Sequence, residues 1–488
     1  MSLKDKTING VFWALSQQFS IQLINFIVQI VLARLLLPEH FGLIAMIQIF
    51  ITMGQALMDS GMSSSLIRNK QADQEDYSTV FYMNILTSIV IYFVLFFVSP
   101  SIATFFDQPE LTIIVRVMTL TFIIQAFVGV QSAVLTREVN FKLQAIMQLP
   151  SSILGGIVGI VTAYLGYGVW SLVFFRLTTS FVFMIQHWYR TNWRPGLYFN
   201  TKKLKEHFNF GFKLTLSSLI ASIYSNSYAI IIGKLFPANL LGFYNQADTL
   251  RMFPVRNLTS ALQRVTFPIF SSIQDDNQRL KSTFKKITSV VFFLVVPIML
   301  LLIILATPLF RQILTDKWLP AVPYFQILCF SAIAYPLSVY NLNILLVKGK
   351  SNLHLKLEIV KKIFAVIFLL LIIPFGFLGA VYARAIGMFV QAFFNIHYSG
   401  KIIDYSFKEQ MMDLLPTLCI GILAMVGTYL INYSLAGFLD LGDWLFIIFS
   451  SMFYVVFYVG FSYLFKLQSL KDMQLLIKDI LQKSRFRG

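Results

Sequence analysis

The sequence predicts an all-α integral membrane protein of about fourteen transmembrane helices, arranged as two six-helix lobes followed by two further helices. Three observations predict this class. The composition is too apolar for a soluble fold, long apolar stretches follow one another with short connections, and short motifs return after about 200 residues. Of the 488 residues, 57% are hydrophobic and only 12% are charged, whereas soluble proteins carry about 25% charged residues. A chain this long cannot cover a soluble surface with so few polar groups.

A helix needs about 20 mostly apolar residues to cross the hydrocarbon. That ruler places spans at 11–36, 41–60, 79–99, 111–135, 144–166, 168–189, 209–233, 238–270, 285–306, 320–346, 355–373, 376–399, 414–436 and 444–465. Lys4 and Lys6 precede a first span that is too long and too rich in amides for a cleaved signal peptide, so it is expected to remain as an anchor. Loops on the N-terminal side, with both tails, hold 28 of the 39 basic residues, whereas the opposite side holds Arg34, Lys234, Arg311 and Lys317. Both termini are therefore expected in the cytoplasm. The net charge of +17 follows from that topology, and with no continuous basic stripe it does not indicate nucleic-acid binding.

Two pairs of motifs carry the repeat. Arg34 and Gly42 of "ARLLLPEHFGL" match Lys234 and Gly242 of "GKLFPANLLGF" at an offset of 200. Gly168 and Arg176 of "GVWSLVFFR" match Gly376 and Arg384 of "GFLGAVYAR" at an offset of 208, which Lys142 and Lys350 share. An even number of spans per repeat keeps both copies in the same orientation. The expected segments are a first lobe over 1–208, a second over 209–400, two added spans over 401–466 and a tail over 467–488. Leu470, Met473, Ile477 and Ile480 give that tail an apolar face suited to the inner leaflet.

Polar residues inside the spans point to function. In the first span, Gln18, Gln22, Asn25 and Gln29 share one helical face, and Gln48, Thr52, Gln55 and Asp59 repeat the spacing in the second. Ser218, Ser222 and Ser225 of the seventh span stand at the 200 offset from Gln18, Gln22 and Asn25. Such stripes either hydrogen-bond neighbouring helices or wall a water-filled cavity between the bundles; three stripes, two of them repeat-related, favour the cavity. Arg116, Arg176, Arg251, Arg256 and Arg384 also lie within spans, where charge is costly and normally faces a bundle interior. Arginine suits phosphate because its planar fork donates two parallel hydrogen bonds. Each has a packing alternative: Arg251 can pair with Asp248, and Arg176 and Arg384 can clamp backbone carbonyls. Lys213 and Arg264 can reach the cytoplasmic interface. Asp59 and Asp248 are candidate sites for a coupling ion. The eighth span carries Pro254 and Pro268, which bend a helix.

No catalytic or metal site is expected. Cys329 and Cys419 lie in apolar runs, and the five histidines, at 40, 187, 207, 354 and 397, form no cluster. A membrane glycosyltransferase or polymerase would need acid/base residues near one interface, yet the outer acids Glu39, Asp107, Glu110, Asp316, Asp440 and Asp443 form no recurring pair. A drug or cation exporter would want carboxylates in its cavity, and this chain favours arginine there.

Distributed motifs carry a resemblance over nearly the whole chain: "VFWALSQQFSIQLINFIVQIVLARLLLPEHFGLIAM" at the start, "GMSSSLIRNK" after the second span, "VLTREVNFK" after the fourth, "GYGVWSLV" opening the sixth and "FPIFSSIQDD" closing the eighth. With these the sequence resembles polysaccharide transporters of the multidrug/oligosaccharidyl-lipid/polysaccharide exporter superfamily, in the branch handling colanic-acid, teichuronic-acid and O-antigen-type repeat units. The resemblance implies two six-helix lobes with two extra helices. It also implies flipping of an undecaprenyl-pyrophosphate-linked oligosaccharide from the inner to the outer leaflet of the bacterial plasma membrane by alternating access. It implies no cofactor, with coupling to a proton or sodium gradient or to the membrane potential. A monomer is expected, among membrane lipids, and the resemblance leaves a polysaccharide polymerase open as a partner.

Overall fold

A computed structural model describes residues 3–69, 71–436 and 442–485. No strand occurs among the described residues, and the contacts divide the chain into two compact units, Met1–Gly242 and Phe243–Gly488.

The first unit contains α1 (Leu3–Leu35), α2 (Pro38–Asp59), the short α3 (Met62–Arg68), α4 (Gln74–Phe106), α5 (Leu111–Met118), α6 (Leu120–Arg137), α7 (Phe141–Tyr164), α8 (Trp170–Arg190) and α9 (Thr201–Leu235). Helix α10 (Ala238–Ser272) begins in it and continues into the second unit. The second unit adds α11 (Asn277–Ile304), the single turn α12 (Ala306–Leu309), α13 (Val322–Ala332), α14 (Ala334–Val347), α15 (Ser351–Ile372), α16 (Gly376–Ile402), α17 (Phe407–Ala436), α18 (Asp443–Leu464) and α19 (Gln468–Arg485).

Helices occupy all fourteen predicted positions. The fourth is broken between α5 and α6, and the tenth between α13 and α14. Ten helical stretches among the described residues are long and apolar enough to cross a membrane, eleven with the bent α9; one of the ten contains both α15 and α16. Helices α8 and α10 fall outside that set. The first carries Arg176, Gln186 and His187, and the second Asp248, Arg251, Arg256 and Arg264.

Polarity in α4 is distributed inside out. Ser78, Asn84, Ser88 and Ser99 are buried, whereas Leu86, Val90, Phe93 and Phe97 are exposed, Phe97 by 72%. Apolar surface points outward where lipid is the solvent, and small polar residues let helices approach. The added pair α17–α18 packs on α11, with Tyr458 Oη donating to the Phe293 carbonyl at 2.9 Å and Asn432 Nδ2 to Ser450 Oγ at 2.9 Å. In the tail, Leu470 is buried and Met473 half-buried, while the side chains of Ile477 and Ile480 lie outside the described residues.

The repeat would start a second lobe at 209, but the contacts keep α9 in the first unit. A latch near its N-terminus explains why. His207 Nε2 lies 2.9 Å from Asp76 Oδ1, and its Nδ1 lies 2.8 Å from Ser65 Oγ, with all three residues buried. Lys203 Nζ reaches Asp73 at 2.6 Å and Glu75 and Asp76 at 3.2 Å. The connection over 191–200 is pinned as well, since Trp193 Nε1 donates to Gln74 Oε1 at 2.8 Å and the Asn200 N–H to Thr79 Oγ1 at 3.1 Å. Further along, α9 crosses the α2–α3 junction where both chains lack a side chain: a Cβ on Gly211 would sit 2.1 Å from the Ser60 carbonyl oxygen.

Asp73 caps α4, accepting from the backbone N–H groups of Glu75 and Asp76. The Lys203 ammonium, with the Asp76 N–H, holds its carboxyl well below the usual carboxylate range. A depressed carboxyl stabilises the fold above its unfolded pKa of about 3.9, and the contribution is lost as pH falls through the folded value. Thermal unfolding of the Asp73→Asn variant should therefore occur at lower temperature than wild type at pH 7, the gap narrowing as the pH falls below about 3.9 toward the folded value. A constant difference down to the lowest pH would show that the ionised carboxylate is not the source.

At the other end of α2 the repeat becomes visible in space. A Cβ on Gly42 would lie 1.8 Å from the Ala238 carbonyl oxygen, and one on Gly242 would lie 1.9 Å from that of Pro38. Pro38 and Ala238, like Gly42 and Gly242, are equivalent at the 200 offset. Each helix start thus presses its glycine onto the other's first carbonyl, a contact that only a missing side chain permits.

Candidate functional site

The stripe on α2 is divided among three environments. Gln48 Oε1 accepts from Arg176 Nη2 of α8 at 3.1 Å, and Thr52 Oγ1 accepts from Asn226 Nδ2 of α9 at 3.2 Å. Gln55 and Asp59 line a cavity of about 600 Å³ inside the first unit. Its other polar walls are Ser63, Gln125, Ser132, Thr136, Gln148, Thr179 and Ser180, from α3, α6, α7 and α8. Asp59 accepts the Ser63 hydroxyl. On α1, Gln18 and Asn25 are exposed, while Gln22 and Gln29 are half-buried. Ser225 donates to the Ser222 carbonyl at 3.1 Å, and Asn226 Nδ2 also reaches Ser222 O at 2.8 Å.

In the second unit, Arg251 is fully buried. Its Nε donates to Asp248 Oδ1 at 2.9 Å, and its Nη1 to the Leu328 carbonyl at 2.9 Å and Ser331 Oγ at 3.1 Å. Arg384 of α16 acts on the same Asp248 carboxylate and hydrogen-bonds Tyr244.

These contacts fall into a repeat-related pattern. Gln48 and Asp248 are equivalent at the 200 offset, and Arg176 and Arg384 at the 208 offset. Each copy therefore sets an arginine of its sixth span against a polar residue of its second. The first copy pairs a cation with a neutral amide. The second pairs it with a carboxylate and adds Arg251, where the first copy has Ile51. Among the named side chains, arginines outnumber carboxylates in each cluster, one to none in the first and two to one in the second.

Arg116 and Arg256 are placed differently. Arg116 Nε donates to the Phe96 carbonyl at 3.2 Å and Ser99 Oγ at 3.0 Å, and its guanidinium lies 4.1 Å from the Phe96 ring centre, so α4 engages its donors. Arg256 is exposed and has no ion-pair or hydrogen-bond partner among the described residues. Of the five arginines, Arg251 and Arg384 meet at Asp248 in the second unit and Arg176 stands with Gln48 in the first, whereas Arg116 bonds to α4 and Arg256 has no ion-pair or hydrogen-bond partner among the described residues.

Sequence reasoning missed Lys361, which it grouped with the basic residues of a loop. The structure buries it in α15, where Nζ pairs with Glu358 and donates to Asn395 Oδ1 of α16 at 2.9 Å. The i, i+3 carboxylate was its only visible signal. Also missed was an apolar groove of about 390 Å³ in the second unit, lined by Phe292, Leu337, Phe389, Phe393, Met411 and Leu414.

Comparison with known proteins fits this architecture. Lipopolysaccharide biosynthesis protein WzxC of Escherichia coli K12 is 25% identical over 449 residues, 90% of each chain. Teichuronic acid biosynthesis protein TuaB of Bacillus subtilis 168 is 26% identical over 301 residues, 61% of this chain and 62% of TuaB. Among solved structures, the lipid II flippase MurJ in an inward closed conformation matches with a TM-score of 0.73 and 13% identity, covering 93% of this chain and 99% of MurJ; at that identity the likeness is one of fold. The family described as "Polysaccharide biosynthesis protein" matches residues 31–323, more than half of the sequence, and the chain belongs to that family.

Proposed function

We propose that this protein is a flippase for undecaprenyl-pyrophosphate-linked oligosaccharide units, carrying them from the inner to the outer leaflet of a bacterial plasma membrane for polysaccharide export. The observation that carries this reading is the pair of repeat-related clusters, Arg176–Gln48 and Arg384–Asp248–Arg251, in each of which arginines outnumber carboxylates among the named side chains. A pyrophosphate needs such a counter-charge, because it must leave water for a medium in which charge is poorly stabilised. Arg176, Arg384 and the exposed Arg256 would engage the phosphates, while amides of α1 and α2 meet sugar hydroxyls or water. The polyprenyl tail stays in lipid or in the apolar groove. No bond is made or broken, so the protein acts as a transporter and carries no catalytic residue. Both termini are cytoplasmic in this reading, and the rocking of the lobes draws on a proton or sodium gradient or on the membrane potential.

A drug exporter of the same fold is the competing reading, and one experiment separates the two. Purified protein is heated with undecaprenyl pyrophosphate, undecaprenol or a lipophilic cation. Stabilisation by the pyrophosphate alone, weakened in Arg256→Gln, is expected; stabilisation by the cation alone would mean drug export. In cells, Arg256→Glu should abolish polymer export at normal protein level, and unimpaired export would remove Arg256 from the site.

A further inference from the structure

The cavity of the first unit has a chemistry unlike that of the arginine clusters. Its polar walls are amides and hydroxyls with one carboxylate, Asp59, and no lysine, arginine or histidine lines it. Gln55 and Gln148 have no hydrogen-bond partner among the described residues, although both are half-buried. Asp59 likewise has no cationic partner among them and accepts only from Ser63. Half-buried on the cavity wall, these amides and this carboxylate hold donor and acceptor capacity for a ligand that both donates and accepts. Apolar surface completes the lining, with Met58, Ile67 and Phe183 among its residues. The repeat offers no counterpart: the positions equivalent to Gln55 and Asp59 are Val255 and Thr259, both buried.

We infer that this cavity is a carbohydrate subsite, selective for a neutral hexose or N-acetylhexosamine and closed to acidic sugars. The inference rests on the flippase reading and names what the non-phosphate end of the substrate meets. Vicinal hydroxyls donate to the two oxygens of Asp59, which as an ionised group can only accept. Gln55, Gln125 and Gln148 supply both donors and acceptors, and Phe183 offers an apolar face to ring C–H groups. A uronate would bring a second carboxylate beside Asp59 with no cation in the cavity to offset it, so exclusion follows from the same residue that recognises the neutral sugar. The cavity volume of about 600 Å³ suits one or two pyranose rings.

The test uses the full chain in nanodiscs and measures binding of undecaprenyl pyrophosphate, bare or bearing glucose, galactose, N-acetylglucosamine or glucuronate. At least one neutral sugar should tighten binding about tenfold, the equivalent of one or two net hydrogen bonds, and glucuronate should give no gain. Asp59→Asn, and separately Gln55→Leu with Gln148→Leu, should erase the gain while leaving the bare lipid's affinity unchanged, which also shows that the variants are folded. A bare lipid that binds while no neutral sugar adds affinity overturns the subsite alone. So does a preference for glucuronate, or a gain that survives in both variants. If the bare lipid fails to bind the wild type, the flippase reading falls, and the subsite with it.

Discussion

Gly42→Leu is expected to cost roughly 3 kcal/mol or more and to end polymer export, because the new side chain meets a backbone carbonyl and not a movable side chain. The Cβ alone would lie 1.8 Å from the Ala238 oxygen, so even Gly42→Ala forces the starts of α2 and α10 apart. Gly242→Leu should match it, since its Cβ would lie 1.9 Å from the Pro38 oxygen. Gly387 supplies the control. It lies within α16, and a Cβ there meets nothing within 4 Å, so Gly387→Ala should be neutral or slightly stabilising. Thermal unfolding of the purified variants, with export measured in cells, tests the contrast. Gly42→Leu as stable as wild type would mean that the two helix starts are not held at this distance.

That contact also shows what the sequence could and could not convey. Helix positions were legible because about 20 consecutive apolar residues leave little choice in a membrane. The repeat was legible as Gly42 with Gly242 and Arg176 with Arg384, since the same local demand had kept the same residue twice. What the repeat could not convey is where α9 packs. Its attachment to the first unit depends on His207 with Asp76, 131 positions apart, and on Gly211 against Ser60, pairs that no local pattern relates. The arginines show the same limit. Arg251 and Arg116 read alike as charges inside spans, yet one is locked to Asp248, Leu328 and Ser331 and the other stacks on Phe96. Lys361 was hidden for the opposite reason, because its neighbours Lys356 and Lys362 make it look like part of a cytoplasmic loop. In the candidate site, the polar residues of α2 could be named from spacing alone. Their division among Arg176, Asn226 and the cavity could not, since it depends on which helices lie alongside.

The second copy's cluster permits a substitution designed from the first. Arg251→Ile should destabilise the protein by about 3–5 kcal/mol, the usual cost of removing one partner of a buried charged network. It discards the bonds to Leu328 and Ser331 and leaves Asp248 with Arg384 as its remaining arginine. Adding Asp248→Gln converts the trio Asp248, Arg251 and Arg384 into the arrangement the first copy already uses, Gln48, Ile51 and Arg176. If Arg251 serves mainly to neutralise Asp248, the double variant should recover more than half of the lost stability, the remainder being the volume vacated by the guanidinium. It should also still export polymer, since the cluster keeps Arg384, as the first copy keeps Arg176. Unfolding in detergent gives the coupling between the two positions. A double variant as unstable as Arg251→Ile alone would show that Arg251 acts through its carbonyl and hydroxyl bonds, and that the equivalence of the two clusters is geometric without being electrostatic. A stable double variant that exports nothing would place the Asp248 carboxylate itself in the transport cycle.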